Sequence, residues 1–125
     1  MPGEAITAPD IAAPIGPFSP AMRAGEYIFL SGQVALSPAT GKLIEGDVGA
    51  QTELIIQNLR AVLRAAGKTL ADAVRVGVYL TDMSSFQEMN AVYERHFKPP
   101  YPARTTIAVA GLPLGARIEI DLVAR

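Results

Sequence analysis

The chain has 125 residues, half of them hydrophobic and 18% charged, with 11 basic and 12 acidic side chains for a formal charge of −1. That length gives one compact domain, residues 1–125, and the high apolar share excludes a disordered chain. A charge near zero gives no support to a nucleic-acid surface, and the lack of cysteine excludes disulfides, thiolate metal sites and a cysteine nucleophile. His96 is the single histidine, so histidine clusters are excluded, and a histidine-dependent serine triad would have to include it. No apolar run approaches the ~18–20 residues a membrane helix needs. Residues 1–14 lack the basic stretch and apolar core of a secretory signal, and the expectation is a soluble cytoplasmic protein.

Residues 1–14 hold Pro2, Gly3, Pro9 and Pro14 without periodicity and read as an extended lead-in. Phe18 to Arg23 reads as a short strand placed at a sheet edge by Pro20. After the turn Ala24-Gly25-Glu26, Tyr27 to Val34 alternates, with Ile28, Leu30 and Val34 on one side and Tyr27, Phe29, Ser31 and Gln33 on the other. A turn at residues 37–41 follows. Asp47 then fits an N-cap and Gly67 a C′ glycine, and between them Leu54, Ile55, Leu59, Val62, Leu63 and Ala66 recur at helical spacing.

Val74 to Thr81 alternates as a strand, with Val74, Val76, Val78 and Leu80 on one face. A second helix starts at Ser84 or Ser85, where Ser84…Gln87 and Ser85…Glu88 have capping-box spacing, and Pro99-Pro100 ends it. Phe86, Met89, Tyr93 and Phe97 form its apolar stripe. Arg104 to Ala110 and Ala116 to Ala124 are the last two strands, and Ile118, Ile120 and Leu122 are expected to face the helices. The order β-β-α-β-α-β-β predicts an α+β fold with one mixed sheet and two helices on one face. The uncovered face is of mixed character, which predicts oligomerisation.

The polar pair of most interest is Arg104 and Glu119, expected to share one sheet face. A guanidinium fork binds a carboxylate bidentately, and Glu119, between Ile118 and Ile120, is placed where desolvation favours a protonated carboxyl suited to proton transfer. From spacing alone a second reading stands beside this one: a cross-strand ion pair worth about 0–1 kcal/mol if exposed. Gly32 interrupts a strand, as close approach of a ligand or a simple bulge requires. His96, near a helix C-terminus, reads as a capping or surface residue, and Asn90 as a solvated helix residue. No phosphate-binding glycine pattern and no calcium-loop spacing occurs.

The residues resemble a known family. Pro102-Ala103-Arg104, then Ile107, Ala110, Leu112 and Ile118-Glu119-Ile120, is similar to the C-terminal signature of the Rid (reactive intermediate deaminase) family, also called the translation-inhibitor endoribonuclease L-PSP family. Residues 15–19, Ser31-Gly32-Gln33, Gly46-Asp47, Gln51-Thr52, Asn58-Leu59, residues 79–83 and Asn90 with Tyr93 fall in family order, so the likeness runs from about Ile15 to Ala124. It implies a chorismate-mutase-like fold, a homotrimer with sheets lining a central barrel, and ligand clefts between subunits. The implied reaction is cofactor-free, metal-free hydrolysis of 2-imino acids such as 2-iminopropanoate and 2-iminobutanoate, or their enamine tautomers, to 2-keto acids and ammonia. Carried over by position, Arg104 binds the substrate carboxylate, Glu119 positions water, and Gly32, Phe18 and Thr106 line the cleft. Phe18, Pro20, Thr105 and Thr106 stand where many members have tyrosine, glutamine, serine and cysteine. Two other activities fit the family: an endoribonuclease or translation inhibitor, for which this chain lacks a basic surplus, and a non-catalytic module for small carboxylates.

Overall fold

The computed structural model describes residues 3–125. Its elements run β1 (Glu4–Ile6), β2 (Ala21–Ala24), β3 (Tyr27–Gln33), α1 (Val48–Ala65), β4 (Ala73–Leu80), α2 (Phe86–His96), β5 (Ala103–Ala108) and β6 (Ile118–Ala124). The six strands form one sheet in the order β1-β2-β3-β6-β4-β5, antiparallel except for the β4–β5 pair. A parallel pair needs a crossover, and α2 supplies it.

Both helices lie on one sheet face, as the alternation of the strands dictates. Ile118, Ile120 and Leu122 point inward and join Val76, Val78 and Leu80 beneath Ile55, Ile56, Leu59, Val62 and Leu63 of α1 and Met89 and Val92 of α2. Asp47 caps α1, its Oδ1 accepting the Ala50 N–H at 2.8 Å. Gly67, at φ +76°, lets the Lys68 N–H reach the Leu63 carbonyl and its own N–H reach that of Arg64, satisfying two terminal carbonyls.

Several expectations need correction. The extended lead-in contributes an element that its lack of periodicity did not predict, because residues 4–6 pair with β2 as a strand. That places β2 inside the sheet, and the edges are β1 and β5. Val74 does not face the core: a bulge between Ala73 and Arg75 shifts the register and turns it outward, 43% exposed. The capping boxes do not form at α2. Asp82 takes that place, accepting the Ser84 N–H at 2.9 Å, while Glu88 reaches across to accept the Gly49 N–H at the start of α1. His96 neither caps nor faces solvent. Its Nε2 meets Glu53 Oε1 at 2.8 Å and its Nδ1 meets Arg60 Nη2 at 3.2 Å, tying α2 to α1. A guanidinium has no acceptor, so Nδ1 accepts and the ring proton sits on Nε2, toward Glu53.

The helix-free face carries Met22, Phe29 and Val123 in one row across β2, β3 and β6, and Glu119, Tyr79 and Ile107 in another across β6, β4 and β5. Met22, Tyr27, Phe29 and Ile107 are all exposed there. No helix among the described residues is long and apolar enough to cross a membrane.

Candidate functional site

Three of the five predicted site residues meet in one place. Gly32 lies where β3 loses register with β6 between Leu30 and Gln33, and Glu119 of β6 folds over the strand at that point. A Cβ at residue 32 would stand 2.5 Å from Glu119 Oε2, so glycine is what lets the carboxyl lie against the backbone. Phe18 closes the same cavity, whose volume is about 320 Å³. Residues 11–15, Pro20, Gln33, Val34, Leu36 and Pro113 complete its walls, which are largely apolar. The Ser31 hydroxyl borders the cavity but donates to the Ser19 carbonyl at 2.6 Å.

Burial pushes the Glu119 carboxyl above the usual carboxylate range, and the negative charge of Asp121 adds to the effect. Asp121 in turn accepts the Tyr79 hydroxyl at 3.1 Å, and the two side chains lie over Gly77. Desolvation first, then Asp121, raises Tyr79 as well. Glu119 is thus a more basic carboxylate than a solvated one, and a proton donor at higher pH.

Arg104 and Thr106 are elsewhere. The expectation that Arg104 and Glu119 share a face fails, because β4 runs between their strands and the two side chains take opposite sides. Arg104 pairs in register with Val76, which faces the helices, and Glu119 with Tyr79, which does not. Thr106, paired with Val78, is on the Arg104 side. Both belong to β5, the sheet's open edge.

The guanidinium is held by α2. Arg104 Nη1 donates to Asn90 Oδ1 at 2.9 Å, and its Cζ stands 4.6 Å from the Tyr93 ring centroid and 5.6 Å from that of Phe86. Tyr93 is stacked on Phe97 at 4.2 Å, which fixes the aromatic platform beneath the charge. A hollow of about 230 Å³ opens beside Arg104, bordered by Asn90, Tyr93, Glu94, Tyr101 and Pro102. One Nη is bound to a neutral amide and, among the described residues, no carboxylate stands within salt-bridge distance of the guanidinium, so the fork is able to take an anion. Asn90, Tyr93 and Phe86 hold the Arg104 guanidinium, a contact that residue-by-residue reading missed. The available signal was their i, i+4 and i+7 spacing, which puts all three on the helix stripe facing β5. Among the described residues no cluster of His, Asp and Glu is grouped as a metal site would be.

Comparison with known proteins places this geometry. The family description "Endoribonuclease L-PSP" matches residues 7–125. The chain is 41% identical over 121 residues to a "RutC family protein" of Pyrococcus horikoshii, covering 97% of this chain and 96% of that one. It is 38% identical over 121 residues to "Reactive Intermediate Deaminase A, chloroplastic" of Arabidopsis thaliana, covering 97% of this chain and 65% of that longer one. The crystal structure of E. coli TdcF with bound serine superposes with a TM-score of 0.90 at 32% identity, covering 97% of each chain. The chain therefore belongs to the Rid family, the endoribonuclease L-PSP group.

Proposed function

We propose that the protein hydrolyses 2-imino acids, or the enamines that tautomerise to them, giving a 2-keto acid and ammonia, in clefts shared between copies of a homotrimer. The observation that carries the reading is Glu119: a carboxyl folded over Gly32 at the polar end of an apolar cavity, with its proton affinity raised. A relative named reactive intermediate deaminase supports the chemistry, and serine bound to TdcF supports a small amino- or keto-carboxylate as ligand.

The division of labour follows from the chemistry. A 2-iminium carbon is already electrophilic, so the protein need not generate a strong nucleophile. It must hold the carboxylate, place a water, and move protons. Arg104 binds the carboxylate through its fork, each charge-assisted bond worth about 1.5–3 kcal/mol. Glu119 accepts a proton as water adds to the imine carbon, forming the carbinolamine. It returns that proton to the nitrogen. As the C–N bond breaks and ammonia leaves, the Glu119 carboxylate takes the carbinolamine hydroxyl proton, the C=O of the keto acid forms, and that proton passes to the departing ammonia as ammonium. Such acid–base help contributes about 10²–10⁴ in rate.

The trimer answers the separation of the two groups. Arg104 lies on edge strand β5, and Glu119 lies beside the uncovered face with its exposed Met22, Phe29 and Ile107. A second copy whose edge approaches that face brings its own Arg104 and Thr106 to the Gly32–Glu119 cavity, and covers the apolar patch in doing so. The reaction needs no metal and no cofactor. The test is loss of 2-iminopropanoate and 2-iminobutanoate generated in situ, followed against a protein-free control. Acceleration with release of pyruvate or 2-oxobutanoate is expected, and an unchanged decay rate overturns the proposal.

A further inference from the structure

Beyond the polar end at Gly32 and Glu119, the cavity continues between the segment at residues 11–15 and the irregular segment that follows Gln33. Its far walls are Ile11, Ile15, Phe18, Val34, Leu36 and Pro113. The segment is anchored from behind: Ile11 packs on the main core, and Ala12 packs on the small cluster of Val34, Leu36 and Ala116. The wall is thus part of the folded domain. At about 320 Å³ the cavity falls within the ~300–1,000 Å³ range that encloses drug-sized ligands, far more room than a methyl or ethyl side chain fills.

Gln33, next to Gly32 in the chain, and Glu119 are the polar side chains left to a ligand. The other side chains of the lining offer none, since Phe18 has no hydroxyl, Ile11, Ile15, Val34, Leu36 and the three prolines are apolar, and the Ser31 hydroxyl is already spent on Ser19. A hydroxyl or carboxylate pushed against them loses water without gaining a partner, which costs affinity. An apolar group gains on burial. We infer that this pocket selects 2-imino and 2-keto acids with bulky branched or aromatic side chains over those with methyl, ethyl or polar ones, and that Ile11, Ile15 and Phe18 set the preference. The inference rests on the proposed function for where the carboxylate lies, and it adds the side-chain class.

Equilibrium binding of 2-keto acids tests it without relying on turnover. Titrations of the full-length protein with pyruvate, 4-methyl-2-oxopentanoate and 2-oxoglutarate form one arm. Burial gains about fourfold per methylene, so 4-methyl-2-oxopentanoate is expected to bind at least about tenfold tighter than pyruvate, with 2-oxoglutarate no tighter than pyruvate. Ile15 is 54% exposed, so Ile15→Ser is compatible with folding. It is expected to weaken 4-methyl-2-oxopentanoate about threefold more than it weakens pyruvate. Affinity that is flat or falls with side-chain size, or no binding of any keto acid, overturns the inference. The corresponding imines separate it from the proposed reaction. Size-ordered binding without hydrolysis of any imine overturns the reaction and upholds the selectivity, whereas hydrolysis with size-independent binding does the reverse.

Discussion

Arg104 and Glu119 lie on opposite faces of one sheet, with β4 between their strands. In a single chain the two groups that the proposed reaction calls on are therefore parts of two half-sites. One is a cationic hollow on edge strand β5 and α2; the other is an apolar cavity ending at Gly32. The arrangement makes separate demands on each half.

At the cationic half, Arg104→Ala is expected to abolish measurable binding of pyruvate and 2-oxobutanoate by calorimetry, a loss of several kcal/mol from two charge-assisted bonds. Lysine lacks the planar fork, so Arg104→Lys retains only part of the affinity. Asn90 gives a finer test. Asn90→Ala frees the guanidinium to wander and weakens binding by about 0.5–1.5 kcal/mol. Asn90→Asp holds the guanidinium harder but cancels its charge. The predicted order of affinity is wild type, then Asn90→Ala, then Asn90→Asp. An aspartate variant that binds as well as wild type refutes the positioning role.

At the other half, a side chain at residue 32 meets the Glu119 carboxyl before anything else. Gly32→Ala is expected to displace Glu119 and lower kcat by about tenfold or more, as loss of aligned acid–base help requires. Its circular-dichroism spectrum should be unchanged, since the nearest atoms belong to one movable carboxyl. Wild-type kcat in that variant would show that the carboxyl's place against Gly32 has no catalytic use.

The raised proton affinity of Glu119 has a consequence for stability. Folding lifts the carboxyl's pKa above its unfolded value, so the folded state binds the proton more readily. The contribution from this group is fully present below the unfolded pKa of about 4.3. It is lost as pH rises through the higher folded value, where charging a half-buried carboxyl beside Asp121 costs free energy. Glu119→Gln removes that loss. Thermal melts should show the variant melting above the wild type at pH 7, with the gap closing as pH falls below about 4. A gap that widens on acidification contradicts the direction of the shift.

His96 is predicted to matter for stability alone. Its ring bridges Glu53 and Arg60 with little exposure, so His96→Ala leaves a carboxylate and a guanidinium without their shared partner. Denaturant titration should show a loss of about 1–3 kcal/mol, with kcat for imine hydrolysis unchanged at a temperature where the variant is folded.

Much of this was legible from the chain. The alternation of Ile118, Ile120 and Leu122 reports a strand with one buried face, and the Asp47–Gly67 bracket reports α1, because both signals are local. The direction of Glu119's shift also follows from its neighbours. Strand order is not local, and it alone puts β4 between Arg104 and Glu119. The bulge that turns Val74 outward depends on pairing with β6, which lies some fifty residues further on. Asn90 looks like any solvated helix residue until β5 is set beneath α2. The cavity wall at residues 11–15 likewise exists only because a segment without periodicity folds back over the end of β3.

The central claim, that one reaction uses Arg104 of one copy and Glu119 of another, is tested most directly by mixing two inactive variants. Arg104→Ala and Glu119→Gln are each expected to lose 2-iminopropanoate hydrolysis. Co-refolded in equal amounts, they form mixed trimers in which some clefts draw an intact Arg104 from one chain and an intact Glu119 from its neighbour. The predicted rate is about one quarter of wild type, the statistical share of such clefts in a heterologous ring. A mixture no more active than either variant alone, with mixed trimers verified by mass, would contradict a shared cleft.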